Sequence, residues 1–315
     1  MTGAPFIARQ ERFALVTSTN DIVRGWLADG TPEVVVAVAD EQSAGRGREG
    51  RTWRAPAGRA LLVSLGFRPT WLEPTRAWRL AALVALAMAD AAEEVAGLRD
   101  DTIRLKWPND LVVESSGGWG RRSSPSALGE RVPPQGGGWP FEDGETRLVL
   151  KLGGVLGETE GLGGADPRVA VGIGLNGDWP ADEFPADLAT DMTSLREASG
   201  GRPIDHALLL DAFLARLEPR VVALRDGRFD GAGWLARQLT NGRLVRLDRP
   251  DGSAEVVRAV GVDPATGALL VEDPSSPRGE RPILSGEIHH LRLADHLPPA
   301  DHVPAADADR AGTGV

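Results

Sequence analysis

A chain of 315 residues, 42% of them hydrophobic, is long for one domain and apolar enough for a sizeable core, so a main domain with an accessory module is expected. The net charge of −10 and pI near 5.1 argue against a general nucleic-acid binder, which would carry a net basic domain. The absence of cysteine excludes disulfides, thiolate metal ligands and any thioester on the enzyme.

The histidines, His206, His289, His290, His296 and His302, show no metal-ligand spacing, and no protein-held metal is expected. Residues 1–12 carry charges but no apolar run of a signal peptide. The most apolar helical stretch, Leu80 to Ala89, is about half the ~20 residues a bilayer span needs. A cytoplasmic protein without a membrane partner is the expectation.

In chain order, Thr17-Ser18-Thr19-Asn20-Asp21 precedes the apolar periodic segment from Ile22 to Leu27 and reads as a helix N-cap whose side-chain oxygens satisfy orphan amides. Three such side chains at a helix N-terminus also suit a small polar head group or an anion. The apolar runs Val34 to Val38 and Ala60 to Leu65 read as strands. Between them lies Gln42-Ser-Ala-Gly-Arg-Gly-Arg-Glu-Gly-Arg-Thr-Trp53, with three arginines and three glycines from Gly45 to Arg51. Glycines there permit positive φ and close approach to a ligand, while guanidinium forks surround an anion. So glycine-rich a loop is expected to order only around its ligand.

Arg76 to Val95 reads as an Ala/Leu-rich scaffold helix. Ile103 to Lys106 and Leu111 to Val113 read as strands broken at Trp107-Pro108, with Asn109-Asp110 a turn pair. Residues 114–147, rich in Gly, Ser and Pro, read as a flexible insertion without assigned function, and removing it would let Leu111 to Val113 pair with Leu148 to Leu152. Gly153-Gly154 inside a strand-like run marks close approach of a ligand or another backbone, and the Gly172-Ile-Gly174 pair lets the backbone come close to a flat ligand; no dinucleotide-binding fingerprint is present. Leu209, Phe213, Leu217 and Val221 recur every four positions on a helix from Asp205 to Leu224. Strand candidates at Leu244 to Leu247, Glu255 to Val262, Ala268 to Glu272 and Pro282 to His289 imply a small all-β module of SH3-like type. Pro298 to Val315 reads as a disordered tail.

Taken together, Ser18-Thr19-Asn20, the Gln42 to Trp53 loop, Lys106-Trp-Pro-Asn-Asp110, Lys151-Leu-Gly-Gly-Val-Leu156 and Gly172-Ile-Gly-Leu-Asn176 resemble the biotin protein ligases over about Phe13 to Leu224. The arginine loop followed by Lys-Trp-Pro-Asn-Asp is the specific part. The resemblance implies an α+β fold: residues 13–234 form a catalytic core like that of class II aminoacyl-tRNA synthetases, a mixed sheet backed by helices, and residues 235–297 an SH3-like C-terminal domain. It also implies ATP-dependent formation of biotinyl-5′-AMP, then transfer of biotin to one lysine of the biotin carboxyl carrier domain of an acyl-CoA carboxylase, with Mg²⁺ accompanying ATP.

By the same match, Ser18, Thr19, Asn20, Gln42, Gly45, Arg46, Gly47, Arg48, Lys106 and Gly154 line the biotin pocket. Arg48, Arg51, Trp53, Asn109, Lys151 and Asn176 serve ATP, and Lys106 and Arg48 carry the catalysis. Relatives that act as repressors carry an N-terminal DNA-binding domain. Only about sixteen residues precede the Thr17 to Asn20 segment here, so no DNA partner is expected, and the protein is expected to be a monomer or homodimer. The rival readings are a lipoate ligase, a non-catalytic biotin sensor and a nucleic-acid binder. The loop with Lys-Trp-Pro-Asn-Asp favours biotin, the presence of Lys106 favours an enzyme, and the acidic balance disfavours nucleic acid.

Overall fold

The computed structural model describes residues 5–116, 138–140, 146–249, 251–284 and 287–290. Its first unit is β1 (Arg9–Val16), α1 (Thr19–Ala28) and β2 (Val35–Gln42), with β1 and β2 parallel. A parallel pair needs a crossover, and α1 supplies it. Then follow β3 (Ala60–Phe67), α2 (Trp78–Ala96), β4 (Ile103–Lys106), β5 (Asp110–Ser116), β6 (Gly138–Pro140), β7 (Thr146–Glu160) and β8 (Arg168–Asn176). The strands form one mixed sheet in the order β1-β2-β3-β8-β7-β5-β4, with β6 beside β7, antiparallel at every pair but the first. The architecture is α+β.

Side chains alternate across a strand, so the two faces of the sheet can be read from β8. Val169, Val171, Ile173 and Leu175 join the main core with α2 and α4 (His206–Arg225). Ala170 instead packs with Val23, Trp26 and Leu27 of α1. Gly172 and Gly174 follow Ala170 on that second face, and their registers place Ser64 and Leu156 beside Gly172, and Leu62 and Gly154 beside Gly174. Helix α1 thus covers one end of the face, reaching Gly172 through Asn20, and a hollow opens beside the two glycines. Gly66, at the covered end, fits because a Cβ there would meet Val35 Cγ2 at 2.6 Å and Leu27 Cδ1 at 3.0 Å.

After α3 (Leu195–Ala198), α4 and α5 (Gly231–Ala236), the chain builds a second, antiparallel sheet. Its strands are β9 (Leu244–Asp248), β10 (Ala254–Val262), β11 (Leu269–Glu272), β12 (Glu280–Ile283) and β13 (Glu287–His290), in the order β12-β11-β10-β9-β13. The segment that leads into it is fastened to α2 by aromatic packing: Trp78 lies 5.4 Å from Phe229 and 4.9 Å from Trp234, ring centre to ring centre. Gly267, at φ 77°, sits against the Trp78 ring, where a Cβ would approach to 2.8 Å, and its carbonyl accepts from Trp107 Nε1 at 3.1 Å. Only a residue without a side chain meets both demands.

Several expectations need correction. The first strand starts at Arg9, ahead of residue 13 where the core was expected to begin, because Arg9 to Phe13 pair in register with Val35 to Ala39. The stretch read as one strand from Pro282 to His289 is two: β12 pairs with β11 and β13 crosses to β9. Of the insertion, residues 114–116 extend β5 and 138–140 pair with β7. Residues 117–137 and 141–145 lie outside the described residues, as does the segment 298–315. The expected pairing of Leu111 to Val113 with the strand after the insertion is present, with a bulge between Leu111 and Val112. Among the described residues no helix is long and apolar enough to cross a membrane.

A buried ion cluster ties the segment after α5 to α2 and β4. Arg237 Nη2 donates to Asp90 at 2.6 Å and to Glu93 at 2.9 Å, Nη1 donates to the Ile103 carbonyl at 2.9 Å, and Glu93 in turn accepts from Ile103 N at 2.7 Å. The backbone around Arg237 continues the sheet, with Leu105 N on Arg237 O at 2.9 Å and Leu239 N on Leu105 O at 2.8 Å, which covers the β4 edge. Glu93 is 2% exposed, so removing the guanidinium strands a buried carboxylate. Arg237→Ala is expected to lower the free energy of unfolding by about 3 kcal/mol or more, read from urea denaturation. A loss below about 1 kcal/mol would show that water replaces the guanidinium there.

Candidate active site

The hollow on the α1 face is a cavity of about 330 Å³, within the ~300–1,000 Å³ usual for small-molecule sites. Ser18, Thr19, Asn20, Gln42, Arg46, Gly47, Arg48, Arg51, Trp53, Lys106, Asn109, Lys151, Gly154 and Asn176 all line it. Gly45 does not. It is buried in the stem of the arginine loop, where its carbonyl accepts from Trp53 N at 2.9 Å and a Cβ would meet Trp53 O at 2.5 Å.

That loop is a hairpin and not an open coil. Arg46 bridges Thr52, Gly47 N donates to Arg51 O at 2.7 Å, and the tip turns through Glu49 at φ 56° and Gly50 at φ 75°. Of its three glycines only Gly50 uses positive φ. The flat body against Gly174 is the protein's own Trp53, whose ring would meet a Cβ at 2.6 Å, and a Cβ on Gly172 would overlap the Asn20 amide oxygen. The glycines make room for side chains that wall the cavity, and approach of the backbone to a ligand is not their only use.

At one end the polar groups form a chain. Ser18 occupies the N-cap position of α1 but caps nothing with its side chain. The cap comes from β2: Gln42 Oε1 accepts from Thr19 N at 2.8 Å and lies 3.0 Å from Thr19 Oγ1. Ser64 Oγ lies 2.7 Å from Thr19 Oγ1 and 2.6 Å from Asn20 Oδ1. Asn20 Nδ2 donates to Glu158 Oε2 at 2.8 Å.

The ends of this chain fix its polarity. An amide N–H forces Gln42 to present oxygen to Thr19, and a carboxylate forces Asn20 to present NH₂ to Glu158 and oxygen to Ser64. The three oxygen-to-oxygen contacts between Gln42 and Asn20 then share only the two hydroxyl protons of Thr19 and Ser64. The chain has more acceptors than donors, and it suits a ligand head that brings N–H groups.

Arg46 closes this end. It donates to both oxygens of Asp21, at 2.9 and 2.7 Å, and to Glu158 at 3.2 and 3.0 Å. Its guanidinium, held above its ordinary pKa by those hydrogen bonds, is committed to two carboxylates and is not the anion-binding fork the sequence implied. It ties the loop to α1 and β7.

The other end is cationic. The Lys106 ammonium faces the cavity with no hydrogen-bond acceptor among the described residues, and burial lowers its pKa against the opposing pull of Asp110. Burial likewise lowers the pKa of Arg48, whose guanidinium has no acceptor among the described residues. Lys151 Nζ pairs with Asp110 Oδ1 at 2.6 Å and sits 5.8 Å from the Trp53 ring centre. The Trp53 indole N–H is buried without a partner among the described residues.

The two asparagines are brought to the wall with their donors in use: Asn109 Nδ2 on Val155 O and Asn176 Nδ2 on Thr193 O, each at 2.9 Å. They hold the Lys106 turn and the 191–193 segment in place. Among the described residues no group of three or more His, Asp or Glu could hold a metal ion.

Sequence reasoning missed Ser64, Asp21, Glu158, Trp179, Asp191 and Met192. Ser64 was hidden in an apolar strand, where its small polar side chain among Leu and Val was the available signal. The segment around Trp179 and Asp191 has no periodicity to read, and it reaches the cavity because Lys151 N donates to Asp191 O at 2.8 Å.

The family model of the Biotin/lipoate A/B protein ligase family matches residues 13–124. The biotin--[acetyl-CoA-carboxylase] ligase of Mycobacterium tuberculosis is 30% identical over 280 residues, covering 87% of this chain and 86% of that protein. The bifunctional ligase/repressor BirA of Bacillus subtilis is 27% identical over 279 residues, covering 87% of this chain and 71% of its own length. The biotin protein ligase of Aquifex aeolicus, solved with biotin and ATP, superposes with a TM-score of 0.64 at 23% identity, over 89% of this chain and 97% of that one, and shares its fold. With identity at that level across nearly the whole length of a full relative, the chain belongs to the biotin protein ligase family.

Proposed function

We propose that the protein is the biotin ligase its family implies: it joins biotin to ATP as biotinyl-5′-AMP with release of pyrophosphate, then passes biotin to the ε-amine of a lysine on a biotin carboxyl carrier domain. The observation that carries this reading is the polarity of this cavity, acceptor-rich at the Gln42-Thr19-Ser64-Asn20 end and cationic at the Lys106-Arg48 end. A biotin head brings two ureido N–H groups to the first end and a carboxylate to the second. Lipoate has no N–H to offer and would leave buried acceptors unfilled, a mismatch that can cost a factor of about 10⁴ where a site is built for the donor.

In the first step a carboxylate oxygen attacks the α-phosphorus and the bond to pyrophosphate breaks. Two anions must meet, and Lys106 with Arg48 supplies fixed positive charge where negative charge gathers. Trp53 and Lys151 stand on the nucleotide side, with Arg51. In the second step the lysine nitrogen attacks the acyl carbonyl, AMP leaves, and the nitrogen loses a proton. Mg²⁺ fits as the companion of ATP: it is held mostly by phosphate oxygens and needs only one or two carboxylates, and Asp110 and Asp191 face the cavity.

The same reading makes residues 13–234, with the start of β1 from Arg9, a catalytic domain of class II aminoacyl-tRNA synthetase type and 235–297 an SH3-like domain. It includes a carboxylase carrier domain as partner, no DNA or membrane partner, a cytoplasmic location, and a monomer or homodimer. Incubation with ATP, an apo carrier domain and either biotin or lipoate, read by carrier mass, tests it. A carrier that gains lipoyl mass, or none, sinks it.

Lys106→Ala is expected to slow pyrophosphate release by about 10²–10³-fold while biotin still binds in calorimetry. The protonated amine is the useful form, and its lowered pKa means that the charge is lost below the ordinary lysine value of 10.5. In the free enzyme kcat/KM for adenylation should therefore fall on the alkaline side at a pH below about 10.5, and Lys106→Arg should move that limb upward. A profile flat to that pH would count against the assignment.

Biotinyl-5′-AMP is a mixed anhydride, reactive toward any free amine, so it has to be shielded until the carrier arrives. Arg48→Gly is expected to keep making adenylate but release it, seen as diffuse biotin on added albumin. Biotin confined to the carrier lysine would show that Arg48 is no gate.

A further inference from the structure

Glu158 is shared by the pocket amide of Asn20 and the loop cation Arg46. Its Oε2 accepts from Asn20 Nδ2 at 2.8 Å and from Arg46 Nη2 at 3.0 Å, and its Oε1 accepts from Arg46 Nε at 3.2 Å. A carboxylate only accepts, so whatever faces it must donate. The Asn20 amide has one donating and one accepting end of nearly the same shape. Packing alone cannot choose between its two orientations. Turned over, it would offer NH₂ to Ser64, and the acceptor chain would become one that offers donors. The other acceptor beside Nδ2 among the described residues is the Leu156 carbonyl, at 3.4 Å, too long to hold the orientation alone.

We propose that Glu158 is a positioning residue that sets the polarity of the biotin head-group pocket: it holds the Asn20 amide oxygen inward, so that the pocket accepts N–H groups, and fastens the arginine loop to the same point through Arg46. The inference rests on the biotin reading above. A packing role does not account for Glu158, since its side chain is 25% exposed and stands in register with Ala170. Arg46 keeps a second carboxylate, Asp21, when Glu158 is neutralised, whereas Asn20 keeps none. The effect on Asn20 is therefore the larger one.

The test uses the full chain and biotin-dependent pyrophosphate release. Glu158→Gln keeps the shape but can donate as well as accept, so Asn20 is free to turn. The expected result is a KM for biotin raised about tenfold or more, with kcat and the KM for ATP within about threefold. The exchange Asn20→Asp/Glu158→Gln puts the acceptor-only group in the pocket and the donor behind it. It should recover most of the loss, which a merely structural role for Glu158 does not predict.

An unchanged biotin KM in Glu158→Gln, or an exchange no better than the single variant, overturns the inference. If thermal unfolding shows that Glu158→Gln does not fold, Asn20→Asp alone takes its place: two facing carboxylates should impair biotin use, and the exchange should relieve it. Wild-type protein that releases no pyrophosphate with biotin overturns the functional reading and this inference with it. An active wild type with an unmoved KM in the variant overturns this inference alone.

Discussion

The site exists because glycines on one face of the central sheet leave room for side chains from elsewhere in the chain. Gly172 and Gly174 follow Ala170 on the face that α1 packs against, and Ser64 on β3 and Gly154 on β7 stand beside them in register, so the room extends over three strands. A methyl at Gly172 would overlap the Asn20 amide and one at Gly174 would strike Trp53. Both side chains are walls of the cavity. Hydrophobic burial on the opposite face, with α2 and α4, keeps the sheet rigid while this face stays open.

Around that hollow, polarity is arranged by what each group is already bound to. The buried N-terminus of α1 takes its cap from Gln42, which fixes the Gln42 amide; Glu158 fixes the Asn20 amide; and the two hydroxyls between them inherit their direction. Buried amides and hydroxyls are costly unless paired, so this order is built into stability as well as into recognition. The cations divide in the same way. Arg46 is consumed by Asp21 and Glu158 and acts as a strut, whereas Lys106 and Arg48 have no acceptor among the described residues, and their depressed pKa values record the cost of keeping positive charge in a partly dry place. A bound anion would offset that cost.

Much of this was legible in the residues. Alternation and β-branched runs marked β2, β3, β8 and β10, the Ala/Leu stretch marked α2, and turn residues separated the strands of the second sheet. The ligand-facing motifs were legible because their residue types are unusual in sequence: arginines between glycines, and a lysine before Trp-Pro. The start of β1 is not legible in the sequence because Arg9-Gln-Glu-Arg is polar and stands at a sheet edge, where one face and one edge meet solvent and no apolar pattern is required. β13 was merged with β12 because a strand that changes partner leaves no periodic trace.

The sequence by itself determined which side chains are available, the strand and helix periods, the loop that carries Arg46 and Arg48, and the lysine at position 106. Those properties are local, set by neighbours within a few residues. Only the tertiary structure decided that Arg46 is spent on two carboxylates, that Gln42 caps a helix more than twenty residues away, that Ser64 lines the pocket and that Glu158 stands behind it. Hydrogen-bond partners and net polarity depend on distances between strands far apart in the chain. The order of residues along the chain does not contain those distances until the sheet registers are set.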